Sequence, residues 1–128
     1  NKPLVIPNSV TRIDYKAFNK WSSNNQPLVI PQSVTTIGGN AFDGWSSNTH
    51  PLVIPQSVTG ISGDAFRDWS LVPYIEIHAI TPPSIASYNA FSGQNNAPIY
   101  VPDESVNTYK TANQWSIISN RIFPISDK

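Results

Sequence analysis

The stretch PLVIPQSVTTIGGNAFDGW, residues 27–45, decides the fold because close copies of it lie on both sides. PLVIPNSV begins at Pro3, and PLVIPQSV begins at Pro27 and again at Pro51, so the copies are 24 residues apart. Self-similarity at a fixed period is the signature of a solenoid, and this period is too short for repeats built from helix pairs. The sequence therefore predicts a stack of similar short coils.

Each copy predicts a short extended segment followed by a tight return path. In PLVIP the Leu and Ile side chains point to one face and Val to the other, and the flanking prolines keep the segment short. The V-x-x-I spacing that follows predicts a coiled or 3₁₀-like return rather than a strand. Stacked copies then bury their apolar positions as ladders. The predicted ladders are Leu4, Leu28 and Leu52; Ile6, Ile30 and Ile54; Val10, Val34 and Val58; Ile13, Ile37 and Ile61; and Phe18, Phe42 and Phe66.

The period slips after residue 72, and the chain then changes character. YIEIHAI predicts a fourth strand and PIYVP a fifth, while DESVNTYKTANQW predicts a helix whose start is capped by Asp103 or Ser105. RIFPI predicts a terminal strand, and helix and strand together cover the last coil. We expect a single domain, a fragment of a longer protein, with repeats at 3–26, 27–50, 51–72 and 73–96 and a closing part at 97–128.

Composition excludes several classes of function. Eight basic residues balance eight acidic ones without any basic block, which argues against nucleic-acid binding. No apolar run has the length of a membrane span. Without cysteine there are no disulfides, thiol nucleophiles or thiolate metal sites. Because the chain also lacks methionine, we expect a mature or excised piece whose signal peptide has been removed.

The repeat resembles the BspA-like leucine-rich repeats of bacterial surface proteins, whose pattern is close to I-x-I-P-x-x-V-x-x-I-x-x-x-A-F-x-x-C-x-x-L. The resemblance is close over residues 3–70 and looser over 71–96, and the tail is similar to the family's closing segment. Asn24 or Asn25 replaces the family's last leucine, so we expect one core ladder to be missing. The resemblance implies a right-handed solenoid of short parallel strands and 3₁₀ or helical turns, closed by a C-terminal helix and strand.

The resemblance also implies a secreted or cell-surface protein that binds or adheres to a host or matrix protein or to a glycan. Two alternatives stay open: a structural spacer or display domain within a larger surface protein, and an accessory module of a carbohydrate-active enzyme. The resemblance carries no catalytic residues, and no catalytic motif is present. His50 and His78 are interpreted as exposed turn residues, and the carboxylates are scattered. We therefore expect a non-enzymatic protein without metal or cofactor.

One candidate binding face is the row Val5, Val29 and Val53, on the side of the extended segments opposite Leu and Ile. Tyr100 extends this row and Glu76 interrupts it. An apolar row on an open sheet surface indicates a partner site or a site of self-association. The alternative is that neighbouring side chains cover it.

A second candidate is the aromatic ladder Trp21, Trp45 and Trp69, at the position of the family's cysteine. Such rings either stack on sugars or fill the core, and the family's buried cysteine favours a mostly structural role with the indole N–H near the surface. The same register predicts that Asp43 and Arg67 are surface neighbours in adjacent coils.

Overall fold

A computed structural model describes residues 4–128, so Pro3, where the first copy begins, lies outside the described residues. Two four-stranded sheets, with all pairs parallel, run along the stack. The first sheet, in spatial order, contains β1 (Arg12–Ile13), β2 (Thr36–Ile37), β4 (Gly60–Ile61) and β6 (Ser84–Ile85). The second contains β3 (Leu52–Ile54), β5 (Ile75–Ile77), β7 (Ile99–Val101) and β8 (Ile122–Pro124). Short parallel strands stacked in register confirm the predicted repeat solenoid.

The first sheet corrects one prediction. The V-x-x-I segments form two-residue strands that pair Ile13 with Ile37 and Ile37 with Ile61, where a coiled return was expected. Tight turns come later, over the A-F-x-x-W part of each coil. There Asn40 and Asp64 occupy equivalent left-handed positions with φ of 57° and 61°. Asn and Asp tolerate this conformation better than most residues, which explains their presence at the turn.

The second sheet begins only at the third copy. Among the described residues, segments 4–6 and 28–30 form no strand, although they are extended copies of β3. Proline has no N–H to donate, and prolines flank these segments on both sides. β5 is followed by His78 rather than by proline, so the His78 N–H is available and donates to Ile54 O at 3.0 Å. The N–H of Leu52 donates to Tyr74 O at 3.2 Å.

Burial confirms the predicted ladders. The second and third coils bury their Leu, Ile and Val rungs, whereas Leu4, Ile6 and Val10 on the outer side of the first coil are half-buried. The Phe rings stack along the molecule with centroids 5.5 Å apart for Phe18–Phe42 and for Phe42–Phe66. Continuous stacking makes each coil the packing surface for the next.

The closing part covers the last coil, as predicted, but its helix is short. Helix α1 spans Val106–Thr111 and follows a 3₁₀ turn at Asp103–Ser105. Tyr109 is fully buried, and its hydroxyl donates to Ala79 O at 2.6 Å. Trp115 begins the 3₁₀ segment Trp115–Arg121, and its ring lies 5.3 Å from that of Phe91. Further 3₁₀ turns lie at Tyr88–Phe91 and Ile125–Asp127.

The predicted cap of this helix is wrong. Neither Asp103 nor Ser105 makes a side-chain bond to the helix N-terminus. The Ser105 hydroxyl donates to Ile80 O at 2.7 Å, and the Asp103 carboxylate accepts from the N–H of Ser126 at 3.0 Å. Both side chains instead tie the closing part to neighbouring segments.

Candidate binding face

The outward centre of the second sheet and its extended copies forms a single row. Strand register places Val53 beside Glu76, Glu76 beside Tyr100 and Tyr100 beside Phe123. Val5 and Val29 are the equivalent residues of the first two copies, and their exposed fractions are 80% and 67%. We call these six residues, Val5, Val29, Val53, Glu76, Tyr100 and Phe123, the central row. The row is apolar and open at its N-terminal end.

A groove of about 470 Å³ lies between the second and third copies. Val29 and Val53 line it together with three of the flanking prolines, Pro27, Pro51 and Pro55. His50 and His78 also line the groove. The groove lies where segment 28–30 and β3 form no strand ladder, so the prolines that prevent pairing also shape this apolar surface.

The histidines correct a prediction, because both are half-buried rather than exposed turn residues. His50 Nε2 lies 3.2 Å from Asn25 O in the preceding turn. His78 Nε2 lies 3.0 Å from Glu76 Oε1. Each imidazole is therefore oriented by a specific acceptor at the rim of the groove.

Aromatic side chains occupy the C-terminal end of the central row. The Tyr100 ring lies 5.9 Å from that of Tyr74 and 6.3 Å from that of Phe123. Phe123 is 39% exposed and belongs to the row, although sequence reasoning did not include it. The signal was present, since RIFPI places Phe123 where the copies have valine.

Glu76 lies among these apolar residues, with a side chain that is only 12% exposed. One carboxylate oxygen faces His78, and the other forms an ion pair with the Lys128 ammonium. That ammonium also lies 5.1 Å from the centroid of the Tyr74 ring. Burial by itself would raise the pKa of Glu76, but the hydrogen bonds from Lys128 and His78 outweigh it and lower the pKa below 4.5.

The tryptophan ladder lies inside the solenoid. Trp45 and Trp69 are fully buried and stack with centroids 5.3 Å apart, while Trp21 in the first coil is half-buried. The indole N–H groups donate inward at 2.8 Å, from Trp45 to Phe18 O and from Trp69 to Phe42 O. The expectation of an indole N–H near the surface is thus wrong for these two. Their rings are not available as platforms for a ligand.

Two later residues replace the indole N–H as the donor to a Phe main-chain carbonyl. Gln94 Nε2 donates to Phe66 O at 2.9 Å, and Arg121 Nη1 donates to Phe91 O at 2.6 Å. Gln94 was foreseeable, because it follows its Phe by three residues as each Trp does. Arg121 could not be predicted in this way, because it belongs to the closing part and not to a repeat, although it donates to Phe91 O.

The predicted neighbours Asp43 and Arg67 do meet. Arg67 Nη2 lies 2.9 Å from Asp43 Oδ2, and Arg67 Nε lies 3.2 Å from Asp43 Oδ1. The Asp43 side chain is buried while that of Arg67 is 40% exposed, so the pair is not confined to the surface as expected. The carboxylate holds the pKa of Arg67 above its ordinary value.

The ladder expected to be missing is filled by asparagine in the first two coils and by valine in the third. Asn24 and Asn48 are buried at this position, and Val72 takes it in the third coil. Asn48 Oδ1 accepts from the N–H of His50 at 2.9 Å, and Asn48 Nδ2 donates to Gln26 O at 2.8 Å. Asparagine therefore replaces leucine packing with hydrogen bonds to the adjoining turns.

Residues 4–128 contain no group of three or more His, Asp and Glu side chains arranged to hold a metal ion. None of the helices in this part of the chain has both the length and the apolar character needed to cross a bilayer.

Stacked coils with two parallel sheets and an aromatic core define a leucine-rich repeat protein. The family model described as BspA type leucine rich repeat region, with six copies, matches residues 2–119, and the chain belongs to this family. Proteins with this repeat are typically found on bacterial surfaces, and the repeat is generally a non-catalytic protein-interaction module. No curated protein matches the chain as a relative.

Proposed function

We propose that this chain is a non-catalytic binding module that contacts a host or matrix protein outside the cell through the N-terminal end of the central row. The observation that carries the proposal is the exposure of Val5 and Val29, at 80% and 67%. Val53, Glu76 and Tyr100, further along the row, are less exposed.

The physical argument rests on the free energy of desolvation. Removing apolar surface from water contributes about 25 cal/mol per Å², and a β-branched valine has few rotamers, so it loses little side-chain entropy on binding. The adjacent groove of about 470 Å³ offers a place for an apolar side chain of the partner. A protein partner is favoured over a glycan because the N-terminal end of the row presents aliphatic valines, while the Trp45 and Trp69 rings, on which sugars could stack, are buried.

The test is an immobilised array of extracellular-matrix proteins and glycans, probed with the wild-type chain and with Val29→Lys. We expect binding to a protein on the array and a loss of about tenfold or more in Val29→Lys, because the ammonium would have to be desolvated in the contact. Ser62→Lys, an exposed position beside the first sheet, is the matched control and should bind as the wild type does.

Other results would contradict the proposal in different ways. If Val29→Lys and Ser62→Lys bound the protein with equal affinity, the central row would not be part of the contact. Absence of any binding would favour a spacer or display domain, and binding to glycans alone would favour the carbohydrate-associated alternative. Sedimentation of the free chain tests the remaining alternative, in which a second copy of the chain covers the valines.

A further inference from the structure

A cationic side chain already occupies the central row. Glu76 is the one carboxylate among its six residues, and the Lys128 ammonium is paired with it. The same ammonium lies over the Tyr74 ring at 5.1 Å from the centroid. A carboxylate and an aromatic face acting together form a recognisable cation site, because both attract a lysine head group.

The receiving side of this contact is built into the fold. Glu76 lies in β5 between β3 and β7, and His78 holds its second oxygen at 3.0 Å. The Tyr74 ring is fixed by an edge contact with Tyr100, with centroids 5.9 Å apart. Carboxylate and ring therefore each have an orienting contact other than the one with Lys128.

The lysine side of the contact is more exposed than the carboxylate side. Lys128 follows the 3₁₀ turn Ile125–Asp127, and its side chain is 38% exposed. A long side chain in a partly exposed ion pair gains little net free energy from the contact. An external lysine with additional contacts can therefore compete with it.

We propose that Glu76 and Tyr74 form a recognition site for a lysine side chain of the partner protein, and that Lys128 fills this site in the free chain. This inference rests on the proposed function and names the chemistry of its partner. Adjacent strands are about 4.8 Å apart, so Val53 and Tyr100 lie next to Glu76 on either side along the row. The matching partner segment presents a lysine between apolar side chains.

The test uses a blocked pentapeptide, acetyl-Val-Gly-Lys-Gly-Val-amide, whose lysine and valines share one face when extended, titrated into the ¹⁵N-labelled chain and followed by amide chemical shifts. Acetyl-Val-Gly-norleucine-Gly-Val-amide is the matched probe without the charge. We expect weak binding of the lysine peptide at Val53, Glu76 and Tyr100, and several-fold tighter binding to Lys128→Ala, because the internal competitor is gone. Lys110→Ala removes the same charge from α1 and should bind as the wild type does.

Glu76→Gln keeps the shape of the side chain and should bind the lysine peptide no better than the norleucine peptide. The inference is overturned if Lys128→Ala binds both peptides equally, or if folded Glu76→Gln retains the lysine preference. Should Glu76→Gln fail to fold, Tyr74→Leu in the Lys128→Ala background takes its place and should weaken lysine binding several-fold. The peptide result is independent of the array, so failure of this site and failure of the proposed function are distinguishable.

Discussion

At the scale of single residues, the main-chain carbonyl of each stacked Phe is the clearest organising element. Phe18 and Phe42 receive an indole N–H, Phe66 an amide N–H and Phe91 a guanidinium N–H. A buried carbonyl without a donor costs free energy, so a donor is needed at this site in every coil. The donor's chemistry varies while its position is kept.

Replacing Trp69 by Phe tests this requirement. The change removes the donor to Phe42 O and part of the stack with Trp45, so we expect the free energy of unfolding to fall by about 2–4 kcal/mol. Urea unfolding followed by circular dichroism measures it. Trp21→Phe, in the half-buried rung of the first coil, should cost clearly less, and equal costs would contradict the argument.

Glu76 gives a pH dependence with a defined sign. Its folded pKa lies below the ordinary value of 4.5, so the folded state binds fewer protons there than the unfolded state. The stabilisation is present above pH about 5 and is lost as the pH falls through the folded pKa. Unfolding midpoints between pH 7 and pH 3 should therefore decline less steeply in Glu76→Gln than in the wild type. Glu104→Gln, at an exposed position, should leave the decline unchanged.

The core positions were predictable from the sequence because three near-identical copies must place identical residues above one another. The donors were less accessible to sequence reasoning. Gln94 keeps the spacing of the tryptophans, but an amide does not resemble an indole until the shared acceptor is seen. Lys128 is 52 residues away from Glu76, and no periodicity connects them.

At the scale of elements, the strands of the two sheets are not equally predictable from the sequence. The alternation in PLVIP predicts an extended segment, whereas a strand of two residues such as Thr36–Ile37 is too short to show any alternation. Conversely, the alternation in segment 28–30 did not reveal that its flanking prolines prevent strand pairing. Whether a segment pairs as a strand therefore depends here on its capacity to form main-chain hydrogen bonds and not on its hydrophobic pattern.

The 3₁₀ segment Trp115–Arg121 holds the closing part in place through Arg121. Its guanidinium donates to Phe91 O, to Ala97 O and to Gln94 Oε1, at 2.6, 2.9 and 2.7 Å. Burial lowers the pKa of Arg121 to about 10, so the group is still charged at neutral pH. The charge is thus kept in the interior by three fixed oxygen acceptors.

Arg121→Met should therefore destabilise the protein strongly, because the three acceptors lose their donor while the volume is nearly kept. We expect a loss of about 2–4 kcal/mol in the free energy of unfolding, measured by urea titration. Lys110→Met, an exposed cation on α1, should change it by less than about 0.5 kcal/mol. Similar small effects for both would show that Arg121 does not hold the closing part.

At the scale of the whole molecule, the donors give the stack a direction. Trp45, Trp69, Gln94 and Arg121 each donate to a Phe carbonyl of the preceding coil. Every coil is therefore completed by the one after it, and the last coil by the closing part. A solenoid with nearest-neighbour contacts transmits such support along its length.

Truncation after residue 102 should remove this support. The product lacks β8, Tyr109, Trp115 and Arg121, which exposes the Phe91 ring, so we expect loss of cooperative unfolding and a tendency to aggregate. Thermal unfolding and size-exclusion chromatography provide the measurement. Truncation after residue 124 keeps the buried contacts of α1 and should remain cooperative. A stable product from the shorter chain would contradict a required cap.

The contact between the buried Asp43 carboxylate and Arg67 has a consequence for the order in which the coils stack during folding. Coils with nearly the same sequence are able to exchange places during folding, and a coil docked one repeat out of step would bury much the same apolar surface. The equivalent residues Asn19, Asp43 and Arg67 differ in charge, so only the proper order of coils brings the buried carboxylate against a guanidinium. A misplaced coil would leave that charge without its counterpart. The ion pair thus favours the correct order of coils that are otherwise nearly interchangeable.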